Sequence, residues 1–468
     1  MGRLNDLNAE ANAIKADGRI DEALAAFRAI VDVAPENAIV KHNYAAALAD
    51  AGRHIEAVEW ARLAIRGGLN APEAFLVIAR SSVALGWLDE AKRFFIEALN
   101  RRPTDATAHK EFAQLIWMMT DDRAKALQAL DVAIKAHPNA IDLCLVRAHV
   151  LGQTGDAKGE FEAISAQVKS FGTQSPQLHL AAANSALAAG EPSAALAHAT
   201  AVCDAFPKDA DARQALARAF LAVGEPREAA KTASRLRAEF PLDQFYIALQ
   251  ATAWRMLGDE RYHAIYDYDK FVAGFALSCP RGWSSAEAYV DDLIEALDRH
   301  HLFRTHPFGQ SVRRGSQLPS LTDIDDPAIK AVAEAVRGPI QSYIARIGVG
   351  PDPLRIRNRG GYRLFSIWSI RLASSGYHIN HVHPQGWLSS ASHLRYPEPK
   401  DENDRSGWLT FGEPGIPTGP TLAAEHFVRP QKGVMVIFPS YMWHGTVPFS
   451  DDKTRLTIAG DSLPAASI

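Results

Sequence analysis

The sequence predicts a multidomain α and β protein, with an N-terminal α-solenoid over residues 1–258 and a β-rich domain over residues 259–468. Three observations lead there. Glycine falls at 18, 52 and 86, then at 155, 190, 224 and 258, a period of 34 or 35 residues. In four units a proline follows 17 residues later, at Pro35, Pro103, Pro207 and Pro241. After Gly258 the alanine-rich helical pattern ends, and farther on short runs rich in β-branched and aromatic residues begin.

Each repeat is a helix stopped by glycine, a turn, and a second antiparallel helix stopped half a period later by proline. Ala23, Ala57, Ala91, Ala195 and Ala229 recur five residues after the glycine, where a small side chain lets two helices approach. Phe27 and Phe95 stand nine residues after theirs. The fourth unit has Thr120 and Asp121 where glycine belongs. These features resemble tetratricopeptide repeats. The resemblance implies a right-handed superhelix whose concave face holds a peptide or another protein, so the expected partner is a protein or peptide, and it is a candidate substrate.

A chain of 468 residues is too long for one core. Its 47% hydrophobic and 22% charged residues are those of a globular protein, and a net charge of -4 supplies no basic field for nucleic acid or an anionic membrane. Neither is expected as a partner. The first residues lack the apolar core of a signal peptide, Asp6 spoils a myristoylation pattern, and no run of 18 apolar residues occurs. Cys144, Cys203 and Cys279, far apart and odd in number, fit reduced thiols in a cytoplasmic protein.

The β-rich domain opens with a helical lead-in over 259–350. One helix is expected at about 284–300, capped by Ser284 or Ser285, and another at about 327–347. The core, 351–468, carries six strand-like runs: YRLFSIWSIRLA, WLSSASHLRY, GWLTF, HFVRP, GVMVIFPS and RLTIAG. Helices followed by strands in blocks point to an antiparallel sandwich or barrel and exclude a doubly wound parallel sheet.

On an extended strand His381 and His383 share a face while Val382 takes the other, and two imidazoles on one face suit a metal. His378 is expected to face away. The run GVMVIFPS leads to His444, and Arg455 and Thr457 follow on the last run. Asn380, Arg371 and Trp387 are candidates for a substrate pocket; Tyr441 and Trp443 are read as packing aromatics. A paired His-x-His, a distant third histidine and then Arg-x-Thr resembles the order of iron(II), 2-oxoglutarate dioxygenases. The likeness extends to a bacterial and phage branch with HxHPxxWLSGxYY and PSxxxH, here His381, His383, Pro384, Trp387, Leu388 and Ser389, then Pro439, Ser440 and His444. The stretch Pro307 to Gln317 resembles the same branch.

The resemblance implies a double-stranded β-helix, or jelly roll, with Fe(II) on His381, His383 and His444. It implies 2-oxoglutarate as co-substrate with its 5-carboxylate on Arg455 and Thr457, O2 as oxidant, and a hydroxylated product. Two departures stand out. Ser390, Ala391, Ser392 and His393 occupy the stretch where the branch has tyrosines, and His383 stands where a carboxylate is commoner, so His383→Asp is expected to be tolerated. Two alternatives stay open: a catalytically silent repeat-based adaptor, and a cupin-like three-histidine dioxygenase that does not use 2-oxoglutarate.

Overall fold

A computed structural model describes residues 2–171, 175–396, 403–450 and 453–466. The chain divides into two compact units, Met1–Val150 and Leu151–Ile468. Among the described residues, fifteen helices run from Gly2–Ala16 to Gln244–Leu257. The seven ladder glycines all have φ between 66° and 90°, the left-handed conformation that closes a helix and turns the chain into the next. In the degenerate unit Asp121 takes that conformation instead, at φ 55°, and its N–H reaches the carbonyl of Trp117 at 2.8 Å. In the first unit Phe27, Tyr44 and Leu48 bury against Ala57 and Ala61, so the small residues do admit close packing.

In the second unit repeat helices and β domain share one core that runs from Ala217 to Ile458. The helix Gln244–Leu257 shows why. Every residue from Tyr246 to Trp254 is buried, which a helix attains only when it is covered all round. Its far side is tied down by polar contacts: Trp443 Nε1 donates to Thr252 Oγ1 at 2.9 Å, and Arg255 donates to the carbonyls of Gly412 and Ala423 and pairs with Glu425 at 2.9 Å. Tyr441 packs in the same core, its hydroxyl on the carbonyl of Ile265. Both aromatics pack, as read from the sequence.

The β domain has nine strands among the described residues: β1 Ala273–Ala276, β2 Val312–Leu318, β3 Gly360–His378, β4 Leu388–Arg395, β5 Leu409–Phe411, β6 His426–Val428, β7 Val434–Pro439, β8 His444–Thr446 and β9 Arg455–Ala466. They form two antiparallel sheets, β1-β7-β4-β9-β3-β2 and β6-β5-β8. The stretch expected to be a helical lead-in thus contributes two strands, β1 and β2, to the larger sheet. The helix at Ala286–His300 forms as expected, with the Ser285 side chain accepting from the N–H of Ala288. The helix expected at 327–347 is broken into Pro327–Lys330, Val332–Ala335 and Arg337–Ile347. Pro339 has no N–H to offer the carbonyl of Ala335, which accepts from Ser278 N at 2.9 Å instead.

A candidate metal centre between two sheets

The two sheets enclose a cavity of about 710 Å³. Trp368 and Ile370 of β3, Phe438 of β7 and Leu409 of β5 give it apolar walls. His381, His383 and His444 meet on its wall, with one ring nitrogen of each within 4.8 Å of the others. Backbone bonding brings them there: His381 and His444 form an antiparallel bridge, and His383, two residues on, donates its N–H to the carbonyl of Ser440 at 3.0 Å. Ring centroids lie 4.2 Å apart for His381 and His444, and 5.1 Å from each to His383.

The second nitrogen of every ring is engaged. His381 Nδ1 lies 2.9 Å from the carbonyl of Ile379, His444 Nδ1 2.9 Å from that of Met442, and His383 Nδ1 2.7 Å from both oxygens of Asp461. A carbonyl or carboxylate can only accept, so each Nδ1 carries the proton and each Nε2 lone pair is left for a ligand. Burial, then the neighbouring imidazoles, hold His381 and His444 well below the ordinary histidine range, so both are neutral near pH 7. Three oriented imidazoles are a donor set for a divalent transition metal.

Asp461 was not anticipated. It lies on β9 at even spacing from Arg455 and Thr457, so strand alternation puts all three on the cavity face. Ser389 Oγ donates to Asp461 Oδ1 at 2.7 Å and touches Ser440 Oγ at 2.9 Å, which fixes the carboxylate behind His383.

Arg455 is only 2% exposed, and no carboxylate pairs with it among the described residues. Its Nη1 donates to the carbonyl of Gly407 at 2.6 Å, its Nη2 lies 3.4 Å from His393 Nδ1, and its Nε has no partner. Burial lowers its pKa to about 10, which leaves it charged near neutrality. His393, fully buried beside it, is held well below the ordinary range by burial and by that charge. A buried guanidinium without a counter-ion is costly, and an anion entering the cavity relieves it. Thr457 lines the same wall.

Four expectations need correction. Arg371 follows the cavity-facing Ile370, so alternation turns it outward, where it donates to the carbonyl of His301 at 2.6 Å and lies 3.8 Å from Asp298. Trp387 is in the core, its Nε1 on the carbonyl of Leu354 at 2.9 Å. Asn380 sits over Gly445, where an added Cβ would lie 2.2 Å from its Oδ1, and it does not line the cavity. His378 does line it, with its ring centroid 6.0 Å from that of His381, because β3 ends at residue 378 and the alternation does not carry through to His381.

Residues 366–461 match the family model described as Putative 2OG-Fe(II) oxygenase. Residues 8–72 and 186–252 match two tetratricopeptide-repeat models. No curated protein matches the chain. Among solved structures, it is similar to a tetratricopeptide repeat protein from Parabacteroides merdae, at 16% identity over 54% of this chain and 99% of that one, with a TM-score of 0.38. It is also similar to a thermophilic repeat protein from Thermus thermophilus, at 22% identity over 39% and 99%, with a TM-score of 0.30.

Proposed function

We propose that this chain, which joins tetratricopeptide repeats to a 2OG-Fe(II) oxygenase-type domain, is an Fe(II)- and 2-oxoglutarate-dependent dioxygenase that hydroxylates a substrate recruited by its repeats. Residues 259–468 are the catalytic domain in this reading and 1–258 the recruiting arm. One observation carries it: three imidazoles converge, one ring nitrogen of each within 4.8 Å of the others, with every Nδ1 held.

His381, His383 and His444 would hold the metal. When bound, Fe(II) supplies the redox chemistry with O2 in which 2-oxoglutarate goes to succinate and CO2, one oxygen atom entering succinate and the other a C–H bond of the substrate. The chain's own residues position and exclude. Arg455 offers a planar fork to the distal carboxylate of the co-substrate, with Thr457 beside it on β9. Asp461 holds His383 in one tautomer and one orientation. Phe438, Leu409, Ile370 and Trp368 give the reacting face apolar walls. A three-histidine dioxygenase that needs no 2-oxoglutarate would leave the buried, unpaired Arg455 without a purpose, and an adaptor would need no convergent imidazoles.

The three cysteines are free, which suits the cytoplasm, and among the described residues no helix is long and apolar enough to cross a membrane. The test is anaerobic: the full chain receives Fe(II) and then 2-oxoglutarate. A weak visible metal-to-ligand band that appears only with both supports the reading. Metal uptake without the band favours the cupin-like alternative, and no uptake favours the adaptor.

A further inference from the structure

The cavity wall holds a second arginine. Arg313 lies on β2 where the register with β3 shifts: Arg313 pairs with Tyr377 and Gly315 with Leu372, so the single residue Arg314 of β2 stands against residues 373–376 of β3, which bulge. A bulge of this kind re-aims a side chain. Arg314, the residue opposite the bulge, has φ 54° and is exposed, and that left-handed conformation is unfavourable for a residue with a Cβ. Gly315 then passes so close to β3 that a Cβ there would lie 2.6 Å from the carbonyl of Arg371. The Arg-Arg-Gly sequence thus holds a strained turn, and its result is one guanidinium on the cavity wall. Strain kept in this way clusters at functional sites.

Arg313 has no carboxylate partner among the described residues. Its Nη1 donates to the carbonyls of Gln310 and Val312 at 2.7 and 2.8 Å, which steadies the group and leaves the Nη2 face of the fork open. The acidic residue on the wall, Asp461, is taken by His383 and Ser389. Amides stand beside it: Gln317 bonds to Gln310 at 3.3 Å, and Gln153, from the end of a repeat helix, lines the same wall and accepts from Gly309 N at 2.6 Å.

Formal charge assigns the task, resting on the function proposed above. A divalent metal, Asp461 and Arg455 together carry a net charge that dianionic 2-oxoglutarate cancels. Arg313 remains. We infer that the substrate of this cavity carries a carboxylate and that Arg313 is its receptor. A guanidinium fork takes a carboxylate through two parallel hydrogen bonds, and the matching amide would set N–H groups against N–H groups.

The test uses the full chain with Zn(II) in place of Fe(II), saturated with 2-oxoglutarate so that Arg455 is engaged. The probes are N-acetyl-aspartate methylamide and N-acetyl-glutamate methylamide, their asparagine and glutamine counterparts, and the same residues within an alanine pentapeptide, with binding read by ligand-observed NMR. The wild type is expected to bind an acid about tenfold or more tighter than its amide, Arg313→Gln to lose that preference, and Arg313→Lys to keep part of it. Unchanged zinc content and 2-oxoglutarate affinity in Arg313→Gln would show an intact site. A pentapeptide that binds well above the capped residue assigns the carboxylate to a polypeptide, and equal binding assigns it to a small acid. No acid preference in the wild type, or the same preference in Arg313→Gln, overturns the inference. If zinc and 2-oxoglutarate fail to bind, the proposed function falls separately; the acid and amide probes are then compared on metal-free Arg455→Gln, where a preference that depends on Arg313 upholds the inference and its absence ends it.

Discussion

His381 and His444 exchange both of their backbone hydrogen bonds, His381 N to His444 O at 2.9 Å and His444 N to His381 O at 3.1 Å. Residues paired in this way stand directly opposite with side chains on one side of the ladder, so the backbone sets the 4.2 Å separation of their rings. The main chain by itself therefore brings the two imidazoles together. Because the bridge is made by main-chain atoms, truncating either side chain leaves it standing.

His381→Ala and His444→Ala should each lose stoichiometric Fe(II) while the circular dichroism and melting temperature of the chain change little. Metal content after anaerobic loading is the measurement. Full iron in both variants would remove these residues from any metal site.

Position 383 is less permissive than the common histidine-histidine-carboxylate pattern suggests. Asp461 stands 2.7 Å from His383 Nδ1, so His383→Asp would bring a second carboxylate toward the first and strand the acceptor that now receives an N–H. That variant should bind metal poorly, contrary to the sequence-based expectation, and Asp461→Asn should rescue it in part. Alone, Asp461→Asn should weaken metal binding about 10- to 100-fold through loss of the orienting anion. Chelator competition across the three variants measures this, and an His383→Asp protein with wild-type affinity would show that Asp461 does not orient the ligand.

Arg455→Ala should weaken 2-oxoglutarate binding by about 2 to 3 kcal/mol, the scale of a charge-assisted hydrogen bond lost at a buried site. Iron should stay. Titration of the visible band gives the affinity, and an unchanged value would make Arg455 a structural residue.

Features set by one residue's local demand were legible: the glycine ladder requires a left-handed turn at each step, and the six predicted runs all became strands. Features made by partners were not. β2 reads VRRGSQL, polar and broken by glycine, and is a strand because β3 offers it a ladder. β8 is three residues long, too short for a period. Asp461 could have been found by counting in twos from Arg455, but a lone acid on a strand carries no signal of its own. The composition change at Gly258 marks where the repeats end, not where the core divides, since the helix before it is buried on all sides only through contacts far along the chain.

That shared core supplies a stability test. Gly224 and Gly190 both close repeat helices at positive φ, 83° and 79°. A Cβ at Gly190 would meet nothing within 4 Å, whereas at Gly224 it would lie 2.7 Å from the carbonyl of Gly419, whose N–H is bonded to the carbonyl of Leu221. Gly190→Ala should cost about 1 kcal/mol from backbone strain alone, and Gly224→Ala at least about 1 kcal/mol more because backbone must move. Denaturant unfolding of the two variants compares them. Equal losses would mean that the contact between the repeat and the 412–425 stretch is not held in solution.

The last prediction concerns pH. Glu160, on the helix Ala157–Phe171, lies against Gly152 so closely that a Cβ there would meet its carboxyl, and burial pushes its pKa up to about 7. An acid with a raised folded-state pKa holds its proton in the folded chain after the unfolded chain has released it, so folding stability falls as pH rises from the ordinary glutamate range toward about 7. Above that the loss is complete and the carboxylate is charged in both states. Glu160→Gln keeps the shape and removes the titration, so its melting temperature should match the wild type near pH 4 and exceed it at pH 8. The histidines titrate alike in both proteins, and the difference between the two melting curves isolates Glu160. A difference that stays flat from pH 4 to pH 8 would show that this carboxyl is hydrated in the folded chain.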